Sequence, residues 1–225
     1  MNFRKFLAEL NASGQGQDAT EVEKVEYTVL DDQNVKKIKA NADDQIEFYL
    51  AMLGANYHLA PFVGFALKIN YQIYVSRDVE LLQETNLRHL LEDEQIKKNV
   101  FDLKRTMVGL HRLGIHVHGQ DYDMLLASYL INNENNSNDL GEIAHLYGDY
   151  SVKTDIEIYG KGKSEHVPDD DEELFNHLAS KVNAIENLKQ PLLEKLKEHE
   201  QDDLFDTIEI PTARVLALSL IHISE

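Results

Sequence analysis

The chain has 225 residues, 43% of them hydrophobic and 28% charged, enough for one full core and too balanced in composition for disorder. Its 40 acidic against 22 basic side chains leave a net charge of −18, which opposes autonomous nucleic-acid binding, because that affinity rests on Lys and Arg displacing counterions from phosphates. Without cysteine there is no disulfide or thiolate metal site, as fits a cytoplasmic protein, and neither a secretory signal nor a membrane-length apolar run is present.

Phe3, Phe6, Leu7 and Leu10 stand at helical spacing, and residues 13–17, rich in Gly and Gln, break the pattern as a linker would. Residues 22–30 alternate in part, and apolar runs at 45–53, 62–69 and 71–75 predict strands separated by Asn, Gly and Asp. From Val79 the period lengthens. Leu81, Leu82, Leu87, Leu90 and Leu91 predict a helix, and Val100-Phe101 a short buried strand. Leu103, Met107, Leu110 and Leu113 line one helical face, which Gly114 ends. Residues 122–131 predict a helix capped by Asp123, residues 132–138 a loop and residues 140–146 a short helix. After a turn at 160–162, Pro168 and the acidic run 169–173 predict a long helix, since carboxylates suit the positive end of the macrodipole. Leu188, Leu192, Leu193 and Leu196 continue it, with a break or new start at Pro191. Strands first and helices interleaved later describe an α/β domain with a mixed sheet.

Several constellations invite chemistry, and each has a plainer explanation. Asp155-x-Glu157 would share a face if it lay on a strand, but reads as two solvent-facing acids on an edge strand. His116 and His118 flank Val117 and read as exposed strand histidines, with no third zinc ligand nearby. Gly160-Lys161-Gly162-Lys163-Ser164 lacks the first glycine of a phosphate loop, whose place is Glu157, and reads as a basic turn. The acidic run 169–173 lacks the spaced ligands of a calcium loop. Lys97, Lys98, Lys104, Arg105 and Arg112 form a basic cluster that a solvated helix face explains as well as DNA contact does.

Four landmarks in order carry a resemblance. Asn56-Tyr57-His58 with Ala60-Pro61-Phe62-Val63-Gly64 is similar to a first hairpin. The block 101–131 contains Phe101-Asp102-Leu103-Lys104-Arg105 and Tyr122-Asp123-Met124-Leu125. Tyr159-Gly160-Lys161-Gly162-Lys163 precedes the long helix, and Asp206-Thr207-Ile208-Glu209-Ile210-Pro211 runs on to Val215-Leu216-Ala217. Over residues 44–200 the chain resembles the 3′–5′ exonuclease-type domain of bacterial DNA polymerase I, a family A polymerase, in its Gram-positive form. The resemblance implies a ribonuclease-H-like fold, a mixed sheet flanked by helices. It divides the chain into a connector from an upstream nuclease domain (1–20), the exonuclease-like domain (21–200) and the start of a polymerase domain (201–217). Residues 218–225 depart from the family, and their codons can spell a transposon mosaic-end adapter; they are expected to be an artefact of a truncated reading frame, and carry no weight in the fold.

Active members of this family hold two metal ions with carboxylates that activate a water and stabilise the leaving oxygen. Registered on Val63-Gly64 and Gly114-Ile115, the acid positions fall at Tyr49, Ala51, Thr106 and Val182, and the family's tyrosine falls at Leu178. The resemblance therefore implies a degenerate, inactive proofreading domain acting as a structural platform for the polymerase domain of the same parent chain. It implies no metal of its own (magnesium serves the parent polymerase), DNA met only through the parent, no membrane and a monomer. Weak DNA contact is expected at Lys104, Arg105, Lys161 and Lys163. Leu204, Phe205, Ile208 and Ile210 are expected to pack on polymerase residues outside the chain. The enzyme alternative is a residual metal-dependent exonuclease on single-stranded DNA, with Glu47, Asp102 or Asp155 as substitute ligands. A further alternative is a free-standing acidic module that binds a basic partner.

Overall fold

The computed structural model describes residues 25–41, 44–134 and 137–223, so the helical spacing at 3–10 and the linker at 13–17 lie outside the described residues. Among these, six strands form one sheet: β1 (Thr28–Val29), β2 (Gln45–Met52), β3 (Phe62–Ile69), β4 (Gln72–Ser76), β5 (Lys97–Val100) and β6 (Gln120–Asp123), in the order β1-β4-β3-β2-β5-β6. β2, β3 and β4 are antiparallel neighbours, while β1 on β4, β5 on β2 and β6 on β5 are parallel. This is the expected mixed sheet.

β2 and β3 read as unbroken apolar runs because both of their faces are covered. Phe48, Leu50 and Met52 pack with α1 (Thr85–Glu92) and α2 (Leu103–Arg112). Tyr49 and Ala51 face the opposite layer, built from α3 (Met124–Ile131), α4 (Leu140–Leu146), α5 (Asp155–Tyr159) and α6 (Asp171–Glu198). Asp123 caps α3 as expected, accepting from Leu125 N at 2.9 Å. It also accepts the amides of Asp102 at 3.0 Å and Leu103 at 2.8 Å, which ties the start of α2 to β6.

Several expectations are corrected. Of residues 22–30, those described pair only at Thr28–Val29. His116 and His118 lie on no strand; the His116 amide donates to Glu92 Oε1 at 3.0 Å, and the chain turns at Gly119 with φ +70°. Pro191 does not break α6, which keeps Leu188 and Leu192 buried on either side of it. Phe205 and Ile210 are buried within this chain, whereas Leu204 and Ile208 stay exposed as expected. The reason is a helical turn at Asp202–Leu204 and a π-helical turn at Phe205–Glu209 that lead into α7 (Ile210–Ile223). The Phe205 ring lies 5.9 Å from that of Tyr122, and Ala213 and Ala217 pack with the α2 layer. α7 runs past residue 218 without interruption. No helix among the described residues is long and apolar enough to cross a membrane.

Candidate functional site

Alternate residues of a strand share a face, so Tyr49 and Ala51 leave β2 together, toward α6. Leu178 and Val182 stand one helical turn apart on α6, and all four belong to one buried apolar cluster. Ala51 pairs with Gly64 across β2 and β3, and a Cβ on Gly64 would lie 3.2 Å from Leu178 Cδ1. The leucine methyl therefore rests directly on the strand pair. Thr106 is buried beside them rather than among them. Its hydroxyl donates to the Phe101 carbonyl at 3.4 Å, and Phe101 belongs to the cluster. The structure thus gathers four of the five positions that the resemblance registers on the motif into close-packed side chains and links the fifth through one residue.

The substitute acids are not gathered. Glu47 shares the Tyr49 face but accepts from Asn99 Nδ2 at 2.9 Å; burial raises its pKa against that bond. Asp102 caps α2 through the Arg105 amide at 3.0 Å. Asp155 overturns the edge-strand expectation, because residues 155–159 are helical. Thr154 and Glu157 form a capping box: the Glu157 amide donates to Thr154 Oγ1 at 3.3 Å and the Thr154 amide to Glu157 Oε2 at 2.7 Å. Among the described residues no group of three or more His, Asp or Glu side chains is placed to hold a metal ion.

The polar centre that sequence reasoning missed lies on α6. Lys181 is fully buried, with Nζ 2.5 Å from Asp155 Oδ1 and 3.2 Å from Asp139 Oδ1. Its Nζ also stands 5.5 Å from the centre of the Tyr49 ring. One turn earlier, His177 Nε2 is 3.1 Å from the same Asp155 oxygen. An ionised carboxylate only accepts, so Nε2 carries the imidazole proton. Burial lowers the His177 pKa, more than the hydrogen bond to Asp155 raises it, which leaves a neutral ring. Burial also works against the charge on Asp155, but the Lys181 ammonium and the bonds from His177 and Lys181 hold this carboxyl well below the usual range. Lys181 is held above the ordinary lysine value: burial pulls it down, and Asp155 and Asp139 outweigh that. His177 Nδ1 and Tyr159 Oη are buried with no hydrogen-bond partner among the described residues.

The basic cluster is corrected as well. Arg105 donates to the carbonyls of Gly54 at 3.1 Å and Met52 at 2.5 Å. Arg112 donates to those of Tyr57 and Ala60, each at 2.8 Å, and its guanidinium lies 4.3 Å over the Phe62 ring. Lys98 is buried and donates to the Asp93 carbonyl, and Lys97 pairs with Asp121 at 3.1 Å. Rather than a solvated face, the two arginines clamp the β2–β3 connection. Lys104 is half-buried on α2, and Lys161 and Lys163 are exposed on the turn after α5.

The model for the family "DNA polymerase I, ribonuclease H-like domain" matches residues 48–188, from β2 into α6. DNA polymerase I of Lactococcus lactis subsp. cremoris is 36% identical over 219 residues, which are 96% of this chain and 23% of that protein. DNA polymerase I of Bacillus subtilis is 34% identical over 206 residues, 89% of this chain and 23% of that one. The chain thus spans about a quarter of the length of these relatives. Escherichia coli RNase D, an exoribonuclease involved in structured RNA processing, shares the fold with a TM-score of 0.60 at 9% identity, covering 87% of this chain and 51% of that one. A mixed six-stranded sheet with these flanking helices, matched by sequence from β2 into α6, means that this chain belongs to the ribonuclease H-like domain family of DNA polymerase I and is homologous to its 3′–5′ exonuclease domain.

Proposed function

We propose that this chain is the exonuclease-like domain of a longer DNA polymerase I, that it has lost hydrolysis, and that it serves as a structural platform for the polymerase domain of the same parent. The apolar cluster at Tyr49, Ala51, Leu178 and Val182 carries this reading. Phosphodiester hydrolysis by two divalent ions needs hard oxygen ligands, carboxylates above all. These four side chains and Thr106, whose hydroxyl is committed to Phe101, offer no carboxylate, so a metal pair does not fit them. The net charge of −18 supports DNA contact through the parent rather than by this domain alone. The parent acts in the cytoplasm, in replication and repair, and supplies magnesium for its own nucleotidyl transfer.

The test incubates the purified protein with end-labelled single-stranded DNA and magnesium or manganese. The expected result is no shortening, and no nucleotide incorporation on a primed template. Metal-dependent trimming that disappears in Asp102→Ala or Asp155→Ala overturns the reading.

A further inference from the structure

The carboxylates around Lys181 are held in place independently of Lys181. Asp139 Oδ1 accepts the Gly141 amide at 2.7 Å and Asp139 Oδ2 accepts the Asp155 amide at 2.6 Å, so the first turns of α4 and α5 are tied together by backbone donors. Asp155 Oδ1 is further oriented by His177. The ring of Tyr49 closes the side toward the sheet. Into this preformed cage the α6 helix inserts a single ammonium, whose side chain has 0% exposure. A buried charge is tolerated only where opposite charge and hydrogen bonds replace its water, and both are present.

We propose that Lys181 Nζ is a covalently tethered cation seated in a latent small-cation site formed by Asp139 and Asp155, and that this fixed charge fastens α4 and α5 to α6 in place of an exchangeable metal ion. The proposal deepens the reading of a metal-free domain, and rests on it only in naming the kind of cation that the ammonium replaces. The site takes a compact monovalent cation with N–H donors, because two carboxylate oxygens converge on one position and an aromatic face lies 5.5 Å from it. The cage persists when the tether is cut, since backbone amides and not the lysine set the positions of Asp139 and of the start of α5.

Thermal unfolding of the whole chain tests this with three proteins. The wild type is expected to melt at the same temperature with EDTA, magnesium or manganese. Lys181→Ala leaves the largely buried Asp139 and the partly exposed Asp155 facing a void, and its Tm is expected to fall by about 6–20 °C. Methylammonium chloride is expected to recover roughly half of that loss, whereas tetramethylammonium chloride at equal ionic strength, too large for the cavity, recovers none. Asp155→Asn/Lys181→Ala is expected to lose the methylammonium response. Equal effects of the two ammonium salts on Lys181→Ala, or a wild-type Tm raised by magnesium or manganese, overturn the proposal. Should Lys181→Ala fail to fold, the wild-type lysine ammonium resonance decides, assigned by its loss in Lys181→Arg. A signal protected from solvent exchange supports a seated cation, and a freely exchanging one overturns it. Nuclease activity in the wild type would overturn the inactive-domain reading and leave these melting results to be judged separately.

Discussion

Val182→Asp puts a carboxyl back where the resemblance locates the last acid of the exonuclease motif, and the packing there sets the cost. Val182 has 0% exposure and sits among Leu178, Ala179 and Ile185. Trimming it to alanine removes two methyl groups and leaves a small void, a loss of about 2–3 kcal/mol. An aspartate also brings a charge that such surroundings oppose. A fully buried carboxyl is raised by about 3–5 pKa units, or about 4–7 kcal/mol if it stays ionised. Urea denaturation followed by circular dichroism at pH 8 and pH 5 measures both variants against the parent chain. With a urea slope of about 2–3 kcal/mol per molar, Val182→Asp is expected to lower the midpoint by about 2–5 M relative to the parent at pH 8. The sign with pH is fixed. A carboxyl whose folded pKa is raised binds more protons folded than unfolded, so the deficit shrinks as the pH falls toward the ordinary carboxylate range. A Val182→Asp midpoint matching that of Val182→Ala at both pH values would mean a wet, open cleft at this position, and the argument from packing would fail.

Two other expectations follow from the same geometry. Asp155 is held below the usual carboxylate range in the folded state, so its contribution is present above an unfolded pKa of about 4 and is lost as the pH falls below that. Melting curves between about pH 6 and pH 2 should show a shallower acid limb for Asp155→Asn than for the parent, and parallel limbs would remove Asp155 from the account. At Gly119, φ is +70° and a Cβ would lie 2.4 Å from the Ile96 carbonyl oxygen. Gly119→Ala is therefore expected to cost about 2–4 kcal/mol in denaturant unfolding, and a loss under about 1 kcal/mol would show that the turn can relax.

Much of the sheet was legible because β2 and β3 lie between two layers and so spell continuous apolar runs, while Leu103, Met107 and Leu110 keep the helical period. The polar centre was hidden by the same regularity. Leu174, Leu178, Lys181, Ile185, Leu188 and Leu192 follow one another at spacings of four and three along α6, and all six are buried. A lysine in that stripe is a core position occupied by a charge, which was a signal available in the sequence and left unused. Asp155 was misplaced because α5 has five residues, too few for a periodic pattern; the Thr154-x-x-Glu157 capping box would have marked its start. Phe205 and Ile210 could not be assigned by pattern at all. The ring that Phe205 packs on, Tyr122 on β6, lies 83 positions earlier, a separation invisible to any local window.

The passage from α6 into α7 has a mechanical consequence. With Phe205 and Ile210 seated in one layer and Ala213 and Ala217 in the other, the stretch after residue 201 is keyed into the body at four points. It behaves as a stiff lever arm rather than a swivel. Polypeptide joined to α7 would inherit a fixed heading, because the widened π turn of residues 205–209 is itself pinned at Phe205, so any rotation has to be taken up beyond the arm.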